Sequence, residues 1–105
     1  MVSRLYVTDK SSKKDFLIDT GADLSVIPPN SREKGNAPCH FKIYAANGSP
    51  IKTFGSKAVT LNLGLRRPIR WVFVIADVQS PIIGLDLLRI ANPFFPNLED
   101  LTQIN

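Results

Sequence analysis

Leu17-Ile18-Asp19-Thr20-Gly21-Ala22-Asp23 is the segment from which the organisation of this chain can be worked out. An apolar pair runs straight into an acidic residue, and Thr-Gly follows at once, so a carboxylate is placed at the end of a strand on a tight turn. Gly21 lets the backbone reverse without a Cβ in the way. Thr20 can hydrogen-bond locally and stiffen the turn. Leu17 and Ile18 anchor the turn in a core, which holds Asp19 at fixed geometry and partly desolvated. A bare Asp-Thr-Gly is more often an Asx turn that merely ends a strand, so the neighbouring sequence has to decide.

Working outward, residues 4–8 alternate with a period of two and residues 9–14 form a polar turn, so they make a hairpin with residues 16–18. Residues 24–27 are a further short strand, stopped by Pro28-Pro29. Residues 30–40 hold Asn, Ser, Gly, Pro and charges and are expected to be a surface loop. Residues 41–45 and 51–54 flank Asn47-Gly48, a strong hairpin signal because both residues tolerate positive φ. A longer hairpin is expected from residues 58–63 and 69–76, joined by Gly64-Leu65-Arg66-Arg67-Pro68. Pro81-Ile82-Ile83-Gly84 is a short buried strand, and residues 85–90 are the one helix candidate, closed by Asn92-Pro93. Many short strands with turn signals and one late helix define an all-β class.

Composition narrows the chemistry. The 105 residues fit one small domain, for which stabilisation by association is expected. One cysteine, Cys39, and one histidine, His40, exclude an intrachain disulfide and argue against a protein-held metal. They also leave a Ser-His-Asp mechanism with His40 alone to serve it, in a Pro-Cys-His-Phe stretch that suits a surface residue. No metal and no cofactor is expected. Lys plus Arg is 13 against nine Asp plus Glu, a net charge of +4. The cations are scattered apart from Arg66, Arg67 and Arg70, so they are read as solvated surface and nucleic acid is not expected as a partner. No leader is read at the N-terminus, and the longest apolar run, residues 71–76, is too short to span a bilayer. A soluble intracellular protein, cytoplasmic and with no membrane partner, is the expectation, either free or cut from a polyprotein.

The second informative segment lies some 60 residues after the first: Ile82-Ile83-Gly84-Leu85-Asp86, apolar strand, glycine, then helix. Ile18-Asp19-Thr20-Gly21-Ala22-Asp23, a Gly-tipped hairpin, and then this segment, in that order, resemble the retropepsins, the aspartic proteases of retroviruses and long-terminal-repeat retrotransposons. Tyr44-Ala45-Ala46-Asn47-Gly48 and Leu63-Gly64-Leu65-Arg66-Arg67 resemble segments of the gypsy-type elements. The resemblance covers roughly residues 4–91, within a protease domain set at residues 1–91.

It implies a closed β-barrel of one lobe, with a flap hairpin and one short C-terminal helix. It also implies roles. Asp19 matches the catalytic aspartate, Thr20 the residue that braces two such loops across a dimer axis, and Gly21 and Ala22 complete the loop. Asp23 matches an acidic residue that holds substrate backbone. Ala46, Asn47, Gly48 and Ile51 belong to the flap over bound peptide, and Ile82 to the strand beneath the catalytic loop. Val26, Ile27 and Phe54 are further candidates for pocket walls, with core packing as the alternative.

Carboxylate-driven peptide hydrolysis needs two carboxylates, one ionised and one protonated, and this chain has a single Asp-Thr-Gly. The resemblance therefore implies a twofold homodimer acting on an extended peptide, such as a segment of a retrotransposon polyprotein. Two other readings stay open: a catalytically inactive module of the same fold that dimerises or binds peptide, and a basic β domain that binds nucleic acid. Residues 92–105 depart from the family pattern. Asn92-Pro93-Phe94-Phe95-Pro96 breaks the chain, and Leu98, Leu101 and Ile104 are spaced for a helical turn where relatives add an intersubunit strand.

Overall fold

The computed structural model describes residues 5–64 and 66–91. The elements run β1 (Leu5–Thr8), β2 (Asp15–Ile18), β3 (Val26–Ile27), α1 (Ser31–Lys34), β4 (Lys42–Tyr44), β5 (Pro50–Leu61), β6 (Ile69–Ala76), β7 (Ile82–Ile83) and α2 (Leu85–Ala91). The sheet order is β1-β2-β7-β3-β6-β5-β4. Strand β7 inserts between β2, to which it runs parallel, and β3, to which it runs antiparallel. Strand β3 in turn lies parallel to β6. The first and the last strands of the described residues, β1 and β7, thereby flank the strand that leads to Asp19.

The class is all-β, as the strand periodicities predict, but two expectations fail. The sheet is not a closed barrel, because β1 and β4 end the strand order and no ladder joins them among the described residues. Strand β4 has three residues and pairs with β5 on one edge, Lys42 facing Lys52 and Tyr44 facing Pro50, while its other edge takes no strand among the described residues. There are also two helices rather than one. Ser31–Lys34 lies where a loop was expected. Asn30 caps it, its side chain accepting from Glu33 N–H at 2.8 Å while the Glu33 carboxylate accepts from Asn30 N–H at 2.9 Å.

The two arms expected at residues 51–54 and 58–63 are one strand of twelve residues. The break expected between them is a bulge: Thr53 pairs with Ala76 and Ser56 with Val74, and Gly55 takes φ +108. Strand β3 is shorter than expected, at two residues. The helical turn expected near Leu98 falls outside the described residues.

The core joins Phe16 and Ile18 of β2, Leu61, Phe73, Ile83, and Leu87 and Ala91 of α2. The rings of Phe16 and Phe73 meet at 5.7 Å and 55°. Val26, Ile75 and Ala76 are buried beside them, which makes Val26 a core residue in this chain. No helix among the described residues is long and apolar enough to cross a membrane.

A buried carboxylate fastens the two turns at one end of the molecule. Asp9, 3% exposed, accepts hydrogen bonds from Ser12 Oγ (2.7 Å), Ser12 N–H (3.2 Å), Ser11 N–H (3.4 Å) and, across from the β5–β6 turn, Asn62 N–H (2.7 Å). Lys10 N–H donates to Asn62 O at 2.7 Å beside it. Burial works to raise the Asp9 carboxyl, but the Ser12 hydroxyl and the Asn62, Ser11 and Ser12 amides outweigh it and hold it below its ordinary value of 3.8. A carboxyl lowered in the folded state stabilises the fold above its unfolded-state pKa and loses that contribution as pH falls through the folded value. Asp9→Asn should therefore cost about 2 kcal/mol at neutral pH in urea titrations, with the gap to wild type closing below pH 3.8.

Candidate active site

Strand β2 delivers the chain to Asp19, and β7 holds it there. Ile83 O accepts from Asp19 N–H at 3.0 Å, and Pro81 O accepts from Leu17 N–H at 3.0 Å. Past the strand end the backbone reverses, with Ala22 N–H donating to Asp19 O (3.2 Å) and Gly21 N–H donating to Asp19 Oδ1 (2.9 Å). The expected Asx turn is present, and it fixes one carboxylate oxygen while Oδ2 takes no hydrogen bond from the described residues. A Cβ on Gly21 would stand 3.2 Å from Asp19 Oδ1, so the glycine leaves the carboxylate its position.

A second turn supports the first. Leu85 N–H and Asp86 N–H, the opening amides of α2, donate to Ala22 O (2.8 Å) and Asp23 O (3.2 Å). Gly84 makes that approach possible, since a Cβ there would lie 2.6 Å from Leu24 O and 2.8 Å from Ala22 O. The glycine is needed for closeness of two backbones rather than for an unusual φ.

Three residues that the sequence does not single out as a group lock the arrangement. Ser25, fully buried, donates its hydroxyl to Asp86 Oδ1 (2.7 Å) and accepts from Gly84 N–H (2.9 Å). Asp86 Oδ1 also accepts from Leu87 N–H (2.7 Å), and Oδ2 accepts from Trp71 Nε1–H (3.1 Å). Every polar atom of this knot has a partner, as burial requires. Ser25 and Asp86 are 61 residues apart, so no local pattern links them.

Asp19, Thr20, Gly21, Ala22 and Asp23 thus form one loop, and Ile82, half-buried, sits on the strand beneath it, paired with Leu17 and Val26. The residues expected to form a flap are elsewhere. Ala46, Asn47 and Gly48 form the exposed tip between β4 and β5, where Ala45 O accepts from Gly48 N–H (2.9 Å) and Asn47 Oδ1 from Ser49 N–H (3.0 Å). Gly48 has φ +86, as the Asn-Gly signal predicts. Ile51 pairs with Ile43 below the tip. The flap strand lies at the opposite edge of the sheet order from β1 and β2, and no hydrogen bond joins it to the Asp19 loop among the described residues. Behind the flap, Thr53 donates its hydroxyl to Phe41 O and accepts Cys39 N–H at its carbonyl (2.8 Å), pinning residues 39–41 to β5.

The outer face of the loop is bare. Thr20, Gly21 and Asp23 are exposed, and Leu24 is 37% exposed although it is apolar. Among the described residues no other Asp-Thr-Gly turn faces Asp19, and no group of three potential metal ligands occurs.

The chain has a retropepsin-type fold, the fold of the aspartic proteases of retroviruses. It is 25% identical to the EIAV protease solved with the inhibitor HBY-793, with 88% of this chain and 89% of that one aligned at a TM-score of 0.62. The retroviral protease-like domain of Ddi1 from Leishmania major aligns over 88% of this chain and 80% of its own, at 23% identity and a TM-score of 0.61. No family model matches the sequence.

The support of the loop yields a graded series of variants. Gly84→Ala should cost about 3 kcal/mol or more, because main-chain atoms on both sides must move. Ser25→Ala should cost about 1–3 kcal/mol by leaving Gly84 N–H without a partner. Gly35→Ala should be neutral or slightly stabilising, since Gly35 has φ −78 and a Cβ would meet only ordinary contacts. Urea midpoints of the three variants check the order.

Proposed function

We propose that this protein is one subunit of a homodimeric aspartic endopeptidase, and the observation that carries the reading is the Asp19 turn. It is a carboxylate fixed through one oxygen by Gly21 N–H and held by β7, on a loop whose outer face is exposed. In the dimer, the two Asp19 loops meet across the twofold axis and the exposed Thr20 side chains brace them. Two carboxylates facing each other across the axis cannot both ionise cheaply, so the pair shares a proton. The ionised member takes a proton from water as the water oxygen bonds to the scissile carbonyl carbon. The protonated member gives its proton to the carbonyl oxygen. Collapse of the tetrahedral intermediate breaks the C–N bond, and the amine leaves with a proton returned from the pair.

An extended peptide lies between the loops and the two flaps, adding as a strand while pockets take alternate side chains. Asp23 and Ala22 border the peptide backbone. Ala46, Asn47, Gly48 and Ile51 cover it, and Ile82 lines the floor. The resemblance of residues 44–48 and 63–67 to gypsy-type segments supports a retrotransposon polyprotein as the substrate and the cytoplasm as the place of action.

Cleavage of a peptide library by wild type and Asp19→Asn, with sedimentation of both, tests this. Wild type should cleave at mildly acidic pH, the variant should lose at least about a thousandfold in rate, and both should sediment as dimers. Cleavage by a monomer would refute the shared site. Dimers of wild type that cleave nothing would leave a module of the same fold that binds peptide without chemistry.

A further inference from the structure

The sequence scatters its cations, and folding gathers six of them. Lys10, Lys13 and Lys14 lie in the β1–β2 turn, while Arg66, Arg67 and Arg70 lie in the β5–β6 turn and the start of β6. All six are exposed. The two turns are fastened to each other by Asn62 N–H on Asp9 and by Lys10 N–H on Asn62 O. The Lys10 ammonium overhangs the second turn, since a Cβ on Gly64 would be 2.7 Å from Lys10 Nζ.

Six of the 13 basic residues of the chain therefore stand at one end of the molecule. The acids nearest in sequence, Asp9 and Asp15, are engaged by neutral donors and are outnumbered by the six cations. Asp9 is buried under four hydrogen bonds, and Asp15 accepts from the Thr8 hydroxyl at 2.6 Å. The one ion pair among the described residues, Lys57 with Glu33 at 3.0 Å, involves none of the six.

We propose that this end of the protein, formed by Lys10, Lys13, Lys14, Arg66, Arg67 and Arg70, binds the phosphate backbone of single-stranded nucleic acid. A polymer with a phosphate at every residue meets cations spread over two turns whatever its sequence. The guanidinium forks of the three arginines match phosphate oxygens two at a time. Among the described residues of the two turns no large hydrophobic side chain is exposed, so what these residues offer a partner is charge. The surface is at the far end of β2 from Asp19, four residues and roughly 13 Å along the strand, so binding does not require the catalytic carboxylate.

The test is fluorescence anisotropy of a labelled oligouridylate with the full chain. Binding should weaken with salt between about 50 and 200 mM, with a log–log slope of about −4 for six contacts. The Lys13→Gln, Arg66→Gln, Arg67→Gln triple variant should bind at least about tenfold more weakly, with a slope shallower by about 2. The control triple Arg32→Gln, Lys34→Gln, Lys42→Gln, which removes the same charge elsewhere, should bind within about twofold of wild type. Asp19→Asn should bind as wild type does, which separates this surface from the proteolytic reading. Bound oligonucleotide should also protect Lys10, Lys13 and Lys14 from acetylation, a measurement that needs no variant. Equal losses in both triples would reduce the effect to net charge and overturn the site. So would tighter binding to polyglutamate or to phosphatidylserine vesicles than to the oligonucleotide, or absence of protection at the three lysines.

Discussion

The approach of Gly84 to the backbone of Ala22 and Leu24 is the constraint on which the rest of the structure depends. Two main chains meet there with no room for a methyl group, and the contact joins the loop after β2 to the strand and helix that end the described chain. From it follow the hydrogen bonds of Leu85 and Asp86 to the loop carbonyls, the insertion of β7 between β2 and β3, and the burial of Ile83 in the core. An Asx turn on an isolated hairpin would waver, but an Asx turn clamped from behind is a positioned carboxylate.

The clamp is polar as well as steric. Ser25 just ahead of β3, Asp86 of α2 and Trp71 of β6 are satisfied by one another and by the Gly84 and Leu87 amides, in a region where each unpaired group would be costly. Their arrangement favours one register of β3 against β7, because a shift of one residue would take the Ser25 hydroxyl away from both partners. Specificity of register matters here more than net stability, since the short strands β3 and β7 offer few ladder bonds of their own.

What the sequence made legible was local. The Asp-Thr-Gly turn, the Asn-Gly hairpin with its positive φ, the long hairpin at residues 58–76 and the helix after Gly84 all rest on neighbours in the chain, and all are present. The capping box of Asn30 and Glu33 is equally local, but it sits among turn formers, and a helix of four residues stands where a loop is expected. The gap expected between residues 54 and 58 is a bulge inside one strand, a distinction set by pairing with β6. Barrel closure, the Ser25–Asp86–Trp71 knot and the fastening of two basic turns by Asp9 depend on contacts across most of the chain. No periodicity encodes those, which is also why the cations looked scattered.

That reach has a consequence in time. Gly84 follows Ser25 by 59 positions, and synthesis at about 5–20 residues per second sets the interval between them on the order of several seconds. Until the later segment emerges, β2 has only β1 beside it, and the turn at Asp19 lacks every bond from Ile83, Leu85 and Asp86. The nascent chain thus carries the Asp19 carboxylate in an unset state, and any chemistry that needs a fixed carboxylate is deferred until the far end of the domain has been made.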